Sequence, residues 1–327
     1  MIVDFHAEII TKRYFKRMLR SRGVPRIETV KGGYRIFYGD NLAYHFDNRM
    51  LEMDIREREM EQSGVDIQVI GLAMPGVDML KKREAIDASK ESNDDLCEVV
   101  GKSSKFLGLA TVPMKYPEIA VREIERCVDE LGLSGLKIPS NVDGVPLDWE
   151  GFHQIYEAAE EMGVPVMIHP AKPVMADFTM EYGLTNVVGF LFDTTLAALR
   201  LVFGGVMEKF RKLKVILPHA GSTIPYIISR IDHQHGINVD CREHIRRPPS
   251  SYIKKIYIDT AQAFHAPAFM CARELMTSDR IIFGTDYPFA SIEKSVEFIR
   301  SLDIPEDEKS KILYKNAEVI LKVLREK

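Results

Sequence analysis

Residues 164–170 read VPVMIHP, and residues 214–221 read KVILPHAG. Each stretch is a short apolar run that stops at a histidine, and such runs are typical of buried strands in a parallel sheet. Six further runs of this kind lie on either side of them and alternate with longer amphipathic stretches. The eight predicted strands are residues 2–6, 67–72, 106–112, 135–138, 164–169, 214–218, 256–259 and 280–284.

Helical patterns separate these runs, and their ends carry the expected residues. Pro117 begins one helix where its missing N–H costs nothing, and Gly132 and Gly163 follow helices where a left-handed residue is wanted. Strands that alternate with helices of this length predict parallel pairing through right-handed crossovers. Eight units predict an α/β fold, a (β/α)8 TIM barrel. The helical stretches are residues 49–63, 81–101, 117–131, 149–162 and 292–301, with extra C-terminal helices from Pro305 to about residue 324.

Two segments interrupt the alternation. Residues 11–48 follow the first strand and contain Gly32-Gly33, which predicts a hairpin inside a small insertion over the barrel mouth. Residues 171–183 follow the fifth strand and are rich in Met, Phe and Tyr, which suits a lid, a substrate loop or a plain packing loop. We therefore expect a single barrel domain over residues 1–327, with an insertion at about residues 11–48.

Composition excludes several classes of function. Hydrophobic residues make up 46% of the chain and suffice for a full core, while a formal net charge of −4 predicts no affinity for nucleic acid or an anionic membrane. The four cysteines form no CxxC pair, so reduced thiols are expected. The first ten residues do not resemble a signal peptide, and no apolar run approaches ~18 residues. We expect a cytoplasmic protein without a transmembrane helix.

The first predicted strand ends in a run of polar residues, DFHAE at positions 4–8. Side chains two apart on a strand point to the same side, so His6 and Glu8 face one way. At the carboxyl end of a barrel strand that direction is the mouth, where such enzymes place their active sites. Taken alone, the pair is equally compatible with a surface histidine beside a solvated glutamate.

Three further polar residues follow other strands. His169 ends the fifth strand, His219 comes directly after the sixth, and Asp286 lies just past the eighth. The carboxyl ends of barrel strands all meet on one face, so these residues are expected to converge with the first-strand pair. Imidazole nitrogen with carboxylate oxygen is a ligand mixture that zinc and manganese accept, and the pattern predicts a metal site.

Several motifs resemble those of the amidohydrolase superfamily, which carries H-x-H after strand one, His after strands five and six, and Asp after strand eight. The chain is most similar to the amidohydrolase-related branch that contains aminocarboxymuconate-semialdehyde, γ-resorcylate and 5-carboxyvanillate decarboxylases, and the similarity covers essentially the whole chain. The motifs are Asp4-x-His6, HAGSTIPYIISRID at residues 219–232, FGTDYPF at residues 283–289, and Asn316-Ala317.

One residue departs from the superfamily pattern. Glu8 stands where the second His of the pair usually lies, although carboxylates also occur in this pair among aromatic-acid decarboxylases of the branch. The added anionic oxygen makes Mn²⁺ a serious rival to Zn²⁺.

The resemblance implies a role for each of these residues. His6, Glu8, His169 and Asp286 are expected to hold one divalent ion, either Zn²⁺ or Mn²⁺. His219 would act beside it as the catalytic acid/base, and Asp286 would double as a proton carrier.

Four further residues are candidates for binding substrate. Arg230 matches a family arginine that helps to organise the site, although a surface ion pair on a helix explains it equally well. Lys137 ends the fourth strand; a superfamily lysine there can bridge two metals, but the mononuclear branch favours a supporting or substrate-facing role. Arg49 lies beside the insertion, and His265 follows the seventh strand.

The function implied by the branch is non-oxidative decarboxylation of a small aromatic or unsaturated carboxylic acid. A hydrolase of an amide or lactone that uses metal-activated water, or a hydratase, would need the same ligands. A barrel without catalysis is the third class, and the complete ligand set argues against it. Relatives are commonly dimers, so we expect a homodimer, although the apolar surface of the carboxyl-terminal helices and of residues 196–207 suits packing within one chain equally well.

Overall fold

Eight parallel strands form the barrel in the computed structural model, which describes residues 1–39 and 42–321. They are hydrogen-bonded in chain order. The backbone beyond the last strand returns to the first, since Phe5 N–H donates to Phe283 O at 2.8 Å and Glu8 N–H to Tyr287 O at 2.7 Å. The predicted barrel is confirmed. Its strands are β1 (Val3–Ile9), β5 (Ile67–Leu72), β6 (Phe106–Ala110), β7 (Gly135–Pro139), β10 (Pro165–His169), β11 (Lys214–Leu217), β12 (Tyr257–Asp259) and β13 (Ile281–Ile282).

The insertion after β1 contains a helix and a small antiparallel sheet of three strands, β2 to β4. The predicted hairpin is present: β2 ends before Lys31-Gly32, where Gly32 has a φ of +86°, and β3 begins at Gly33. Gly33 is required there because a Cβ would lie 2.4 Å from Phe46 O. The remaining strands are β2 (Arg26–Val30), β3 (Gly33–Phe37), β4 (Ala43–Phe46), and a two-stranded ribbon of β8 (Asn141–Val142) and β9 (Val145–Pro146).

Helices cover the outside of the barrel and extend beyond its last strand. The predicted final helix is present as an uninterrupted helical run from Glu306 to Ile320, in which a wider turn at Lys311–Lys315 lies between α-helical segments. The part of this prediction beyond residue 321 lies outside the described residues. The helices are α1 (Lys12–Arg20), α2 (Met53–Ser63), α3 (Lys82–Lys102), α4 (Pro117–Glu125), α5 (His153–Met162), α6 (Phe190–Phe203), α7 (Val206–Lys209), α8 (Ile224–Ile237), α9 (Ser250–Ile253), α10 (Ala266–Met276), α11 (Ile292–Ser301), α12 (Glu306–Ser310) and α13 (Asn316–Ile320).

The apolar core has two layers. Side chains such as Phe5, Val69 and Leu107 fill the barrel interior, and a larger cluster packs between the strands and the helices. The interior is therefore closed by apolar packing, which leaves the carboxyl ends of the strands as the open face.

One helical stretch differs from the expectation that no segment could span a membrane. Residues Thr185–Phe203, which include α6, have a mean hydropathy of 1.5 and are long and apolar enough by length and composition alone. Their polar groups bind the barrel: the buried Asp193 accepts hydrogen bonds from Ser140 Oγ and, at 2.9 Å, from Asn141 Nδ2. A core helix passes the same test of length and composition, and these contacts favour that explanation.

Candidate metal centre

Two side chains of the site come from the end of β1. His6 and Glu8 are both buried. They occupy alternate positions of the strand, so both side chains point into the mouth of the barrel. The pairing of β1 with β5 changes register between Asp4 and Ala7, which is the part of the strand that carries His6.

His169 at the end of β10 and Asp286 beyond β13 complete a buried group of four with His6 and Glu8. One potential ligand atom from each residue lies within 4.8 Å of the others. His6 Nε2 is 3.3 Å from Glu8 Oε1 and 3.3 Å from Asp286 Oδ1, while His169 Nε2 is 3.3 Å from Glu8 Oε1. The group of residues predicted as ligands is thus brought together at one point.

Three buried atoms in this group make no hydrogen bond: His6 Nε2, Glu8 Oε2 and Asp286 Oδ1. Buried polar atoms without partners are costly, and native proteins contain few of them. Three such atoms on residues of one group of four fit a cation held by that group. Two imidazole nitrogens and two carboxylate oxygens suit a divalent transition metal.

The second nitrogen of each imidazole is held by an acceptor. His6 Nδ1 lies 2.7 Å from Asp259 Oδ2, and His169 Nδ1 lies 3.0 Å from Pro170 O. A carbonyl and a carboxylate accept hydrogen bonds, so each Nδ1 carries the proton. The Nε2 lone pairs therefore remain available to a metal.

The electrostatics of the group also favour a cation. Burial opposes protonation of His6, but the carboxylates of Asp259 and Asp286 outweigh it and raise its pKa to about 10. Burial lowers the pKa of His169 to about 3, so its imidazole is neutral. A metal ion on His6 Nε2 would take the place of the proton that these carboxylates attract.

Lys137 at the end of β7 is buried beside this group and donates to Glu8 Oε1. Burial lowers the pKa of Lys137, although the charge of Glu8 opposes the shift. Burial would raise the pKa of Glu8, but positive neighbours, Lys137 among them, outweigh it and hold the pKa below its usual value. Glu8 thus stays ionised, with one oxygen held by Lys137.

His219 lies next to the group of four but outside it. Its Nε2 is 3.7 Å from Asp286 Oδ2, and its ring centroid is 5.8 Å from that of His6. The same carboxylate oxygen, Asp286 Oδ2, is held by Gln262, whose Nε2 donates to it at 2.5 Å. This placement suits the predicted acid/base role of His219, which stays a prediction.

A cavity of about 730 Å³ opens above these residues. His169, His219 and Asp286 form part of its wall. Most of the remaining wall is apolar or aromatic, and none of the described residues that line it is a lysine or arginine. The aromatic side chains are Tyr44, Phe190, Tyr226, Phe264, Phe269 and Phe289.

The predicted substrate-binding residues separate into two groups. His265 lines the cavity, and Lys137 lines a small recess beside it. Arg49 does not line the cavity, because its guanidinium binds Asp47 at 2.8 Å, and Arg230 is exposed on α8. The substrate roles of Arg49 and Arg230 remain predictions, and the positions of the two side chains in the structure do not support them.

The loop at residues 171–183, for which a lid, a substrate loop and a packing loop were all open, does not line the cavity. The side chains of Phe178 and Tyr182 are exposed, and Phe192 is half-exposed on α6. Phe190, by contrast, lines the cavity. Among these four aromatic residues, only Phe190 lies where it can contact a substrate.

Two polar residues of the site were missed by the sequence analysis: Asp259 and Gln262. Asp259 ends β12, so the reasoning that selected polar residues at other strand ends applies to it as well. Gln262 has a φ of +55°, and nothing in its local sequence predicts that its amide reaches Asp286.

A family model described as Amidohydrolase matches residues 3–323. A 2-amino-3-carboxymuconate-6-semialdehyde decarboxylase of Dictyostelium discoideum is 35% identical over 247 residues, which cover 74% of this chain and 68% of that protein. A gamma-resorcylate decarboxylase of Polaromonas sp. is 32% identical over 293 residues, covering 85% of this chain and 90% of that protein.

Solved structures extend the similarity to the full barrel. The 5-carboxyvanillate decarboxylase of Sphingomonas paucimobilis has a TM-score of 0.87 and 25% identity, with 98% of both chains covered. A dihydroxybenzoic acid decarboxylase of Polaromonas sp., solved with manganese and the inhibitor 2-nitroresorcinol, has a TM-score of 0.83 and 26% identity, covering 98% of this chain and 97% of that chain.

Proposed function

This chain belongs to the amidohydrolase family, and from that membership we propose that it is a manganese-dependent decarboxylase of a small aromatic carboxylic acid. One observation carries the proposal: four buried metal-binding side chains, three of them with an unpartnered atom, lie below a cavity with aromatic walls. The relatives named above, all of them decarboxylases, support carbon dioxide release as the reaction.

His6, Glu8, His169 and Asp286 would hold the ion. When bound, a divalent cation supplies positive charge that stabilises negative charge on the oxygens of the substrate. Two anionic oxygens among four ligands favour a harder ion, and a related structure contains manganese, so we propose Mn²⁺ rather than Zn²⁺.

The protein must also supply a proton to the carbon that loses its carboxylate. The bond between that carbon and the carboxylate breaks, carbon dioxide leaves, and a proton takes its place on the carbon. His219 lies at the cavity wall with its Nε2 3.7 Å from Asp286 Oδ2, so it can deliver this proton and recover one through Asp286. The exchange of the carboxylate for a proton balances without a redox cofactor.

The cavity wall explains the preference for an aromatic ring. Phe190 and Phe289 line it together with Tyr44, whose ring packs edge-to-face against Phe289 at 5.3 Å. Tyr44 is itself fixed, since its hydroxyl donates to Met74 O at 2.5 Å. Rigid aromatic walls hold a planar ring and exclude water from the reacting carbon.

We further propose that the chain forms a homodimer through the outer face of α6 and the residues before it. Val187, Phe192 and Leu196 are exposed large hydrophobic side chains on this stretch. Contiguous exposed apolar surface often marks a protein interface. Light scattering of the purified chain tests this proposal: twice the monomer mass supports it, and the monomer mass contradicts it.

The test of the reaction is carbon dioxide release from a panel of hydroxybenzoic acids, measured with manganese-loaded protein. Each acid is paired with the corresponding lactone or amide, so that hydrolysis is measured in the same preparation. Release of carbon dioxide that disappears after chelation supports the proposal. Hydrolysis of the lactones or amides without carbon dioxide release from any acid would replace the decarboxylase with a hydrolase.

A further inference from the structure

We propose that Asp259 is a positioning residue that holds the metal-binding ring of His6 and the backbone of His219 through a single carboxylate. The proposal rests on the proposed function in one respect, because it takes His6 as a metal ligand and His219 as the acid/base. Asp259 itself would touch neither the ion nor the substrate.

The carboxylate of Asp259 accepts hydrogen bonds at both of its oxygens. Oδ2 lies 2.7 Å from His6 Nδ1. Oδ1 accepts from His219 N–H at 2.8 Å and from Ala261 N–H at 3.0 Å. The residue is only 1% exposed, so water does not compete for these bonds.

Such an arrangement requires a carboxylate, which accepts at both oxygens, and excludes the isosteric amide. If an asparagine pointed its NH2 group at His6, Nδ1 would have to become the acceptor and the proton would move to Nε2, where it blocks the metal. If the NH2 group pointed the other way, it would face two backbone N–H groups. Neither orientation of the amide satisfies both sides.

The backbone that Asp259 holds has an unusual conformation. His219 and Ala220 have φ values of +56° and +53°, and Ser222 follows at +57°. Positive φ is unfavourable for residues other than glycine and persists only where the surroundings enforce it. The bond from His219 N–H to Asp259 is one such constraint, and it fixes the side chain that faces Asp286.

Gly284 makes the close approach of His6 and Asp259 possible. A Cβ at this position would lie 2.9 Å from His6 Cβ and 3.0 Å from Asp259 Cβ. The first distance is shorter than real Cβ contacts and the second is unusually tight, so a larger residue would push the two side chains apart. The fit of a glycine between them is an independent sign that their geometry is specific.

The first experiment observes the histidine tautomer directly, without any variant of Asp259. Long-range ¹⁵N NMR of the metal-free protein, with His6 assigned by the loss of its signals in His6→Gln, should show a proton on Nδ1, whether or not Nε2 also carries one. An unprotonated Nδ1 in the wild-type protein would overturn the proposal. This readout does not depend on metal binding or on turnover, so it stays informative even if the proposed reaction is wrong.

The second experiment measures Mn²⁺ affinity by calorimetry. Asp259→Asn should bind Mn²⁺ 10- to 100-fold more weakly than wild type, which is the usual effect of losing a group that orients a metal-binding histidine. Asp193→Asn is the matched control, because Asp193 is also a buried carboxylate that accepts from a backbone N–H, that of Val174, but does not contact the four ligands. Wild-type affinity in Asp259→Asn, or an equal loss in Asp193→Asn, would overturn the proposal.

Chemical rescue separates the acceptor role from simple packing. Asp259→Ala removes the carboxylate, and added formate should restore Mn²⁺ affinity while formamide of the same size should not. Equal rescue by both compounds would show that the carboxylate acts only by filling space, and the absence of rescue by formate would also contradict the proposal.

Discussion

The two carboxylate oxygens of Glu8 have different surroundings. Oε1 accepts from Lys137, whereas Oε2 is buried and makes no hydrogen bond. Oε1 also lies 3.3 Å from His6 Nε2 and from His169 Nε2, so the bond from Lys137 fixes the direction in which the carboxylate faces the other ligands. Lys137 is best explained as the group that holds Glu8 in this orientation.

Replacement of Glu8 by glutamine tests its place among the ligands. Glu8→Gln keeps the size of the side chain but removes its charge, so we expect Mn²⁺ affinity to fall at least about tenfold. Glu84→Gln on the exposed face of α3 is the matched control and should bind Mn²⁺ as wild type does. Unchanged affinity in Glu8→Gln would remove Glu8 from the metal ligands.

His219→Asn separates acid/base function from metal binding. Because His219 lies beside the group of four rather than within it, the variant should bind Mn²⁺ as tightly as wild type. Turnover should fall by roughly 10²- to 10⁴-fold, the usual contribution of a positioned proton donor. Calorimetry and carbon dioxide release give the two values; a parallel loss of Mn²⁺ would make His219 a ligand instead.

The sequence predicted these side chains because each follows a strand, and the strand ends of a barrel meet on one face. Gln262 carries no such signal. Asp259 also ends a strand, but its bonds to His6 and His219 depend on tertiary packing and do not follow from that position alone. The ion pair of Arg49 with Asp47 could not be predicted from the sequence either. It depends on the local turn at residues 47–51.

The loops between strands and helices are joined by buried polar contacts that carry a pH dependence. Asp78 lies in the segment between β5 and α3 and accepts a hydrogen bond from Lys115 N–H, beyond β6, at 3.3 Å. Burial raises its pKa to about 7. The loop after β5 is thereby joined to the loop after β6 through a carboxyl that is protonated more readily than in the unfolded chain.

The elevated pKa of Asp78 predicts how stability changes with pH. Between about pH 4 and pH 7 the folded carboxyl keeps a proton that the unfolded chain has released, so its contribution to the free energy of unfolding falls as pH rises across that window. Asp78→Asn cannot titrate, so the variant lacks this decrease in the free energy of unfolding. Relative to wild type, the variant should gain on the order of 3 kcal/mol between pH 4 and pH 8.

Urea denaturation at several pH values measures this effect. Asp177→Asn serves as the control, because Asp177 is exposed and should show no such trend. A constant difference between Asp78→Asn and wild type from pH 4 to pH 8 would contradict the assignment.

Strands and helices whose apolar residues recur with a clear period were predicted with accurate bounds. Segments without such a period were not. The strand at residues 67–72 and the helix at residues 292–301 have the predicted bounds. The segment from 171 to 189 has no strong period, and its short helical turns form through tertiary contacts such as that of Val174 N–H with Asp193. Its side chains therefore could not be assigned to the cavity or to the surface in advance.

At the scale of the whole molecule, the count of strand–helix units was sufficient to predict the barrel. The eight apolar runs pair in chain order, and the segment after the last returns to β1. The identity of the substrate is not encoded at this scale, because the same barrel and ligand set serve several reactions. It depends on the cavity wall, whose members come from six or more separate segments of the chain.

Metal binding also links the site to the stability of the whole chain. An ion that binds only the folded protein stabilises it by about 2.7 kcal/mol when its concentration is a hundred times Kd. Removal of the ion should therefore lower the melting temperature in wild type.

The most direct measurement is a calorimetric titration of Mn²⁺ into protein stripped of metal by a chelator. With His6, Glu8, His169 and Asp286 as the ligands of a single ion, we expect about one Mn²⁺ per chain. Binding of about two ions would implicate Lys137 as a bridging group and favour hydrolysis. No binding at any concentration up to the millimolar range would contradict the proposal that this barrel is a metal-dependent decarboxylase.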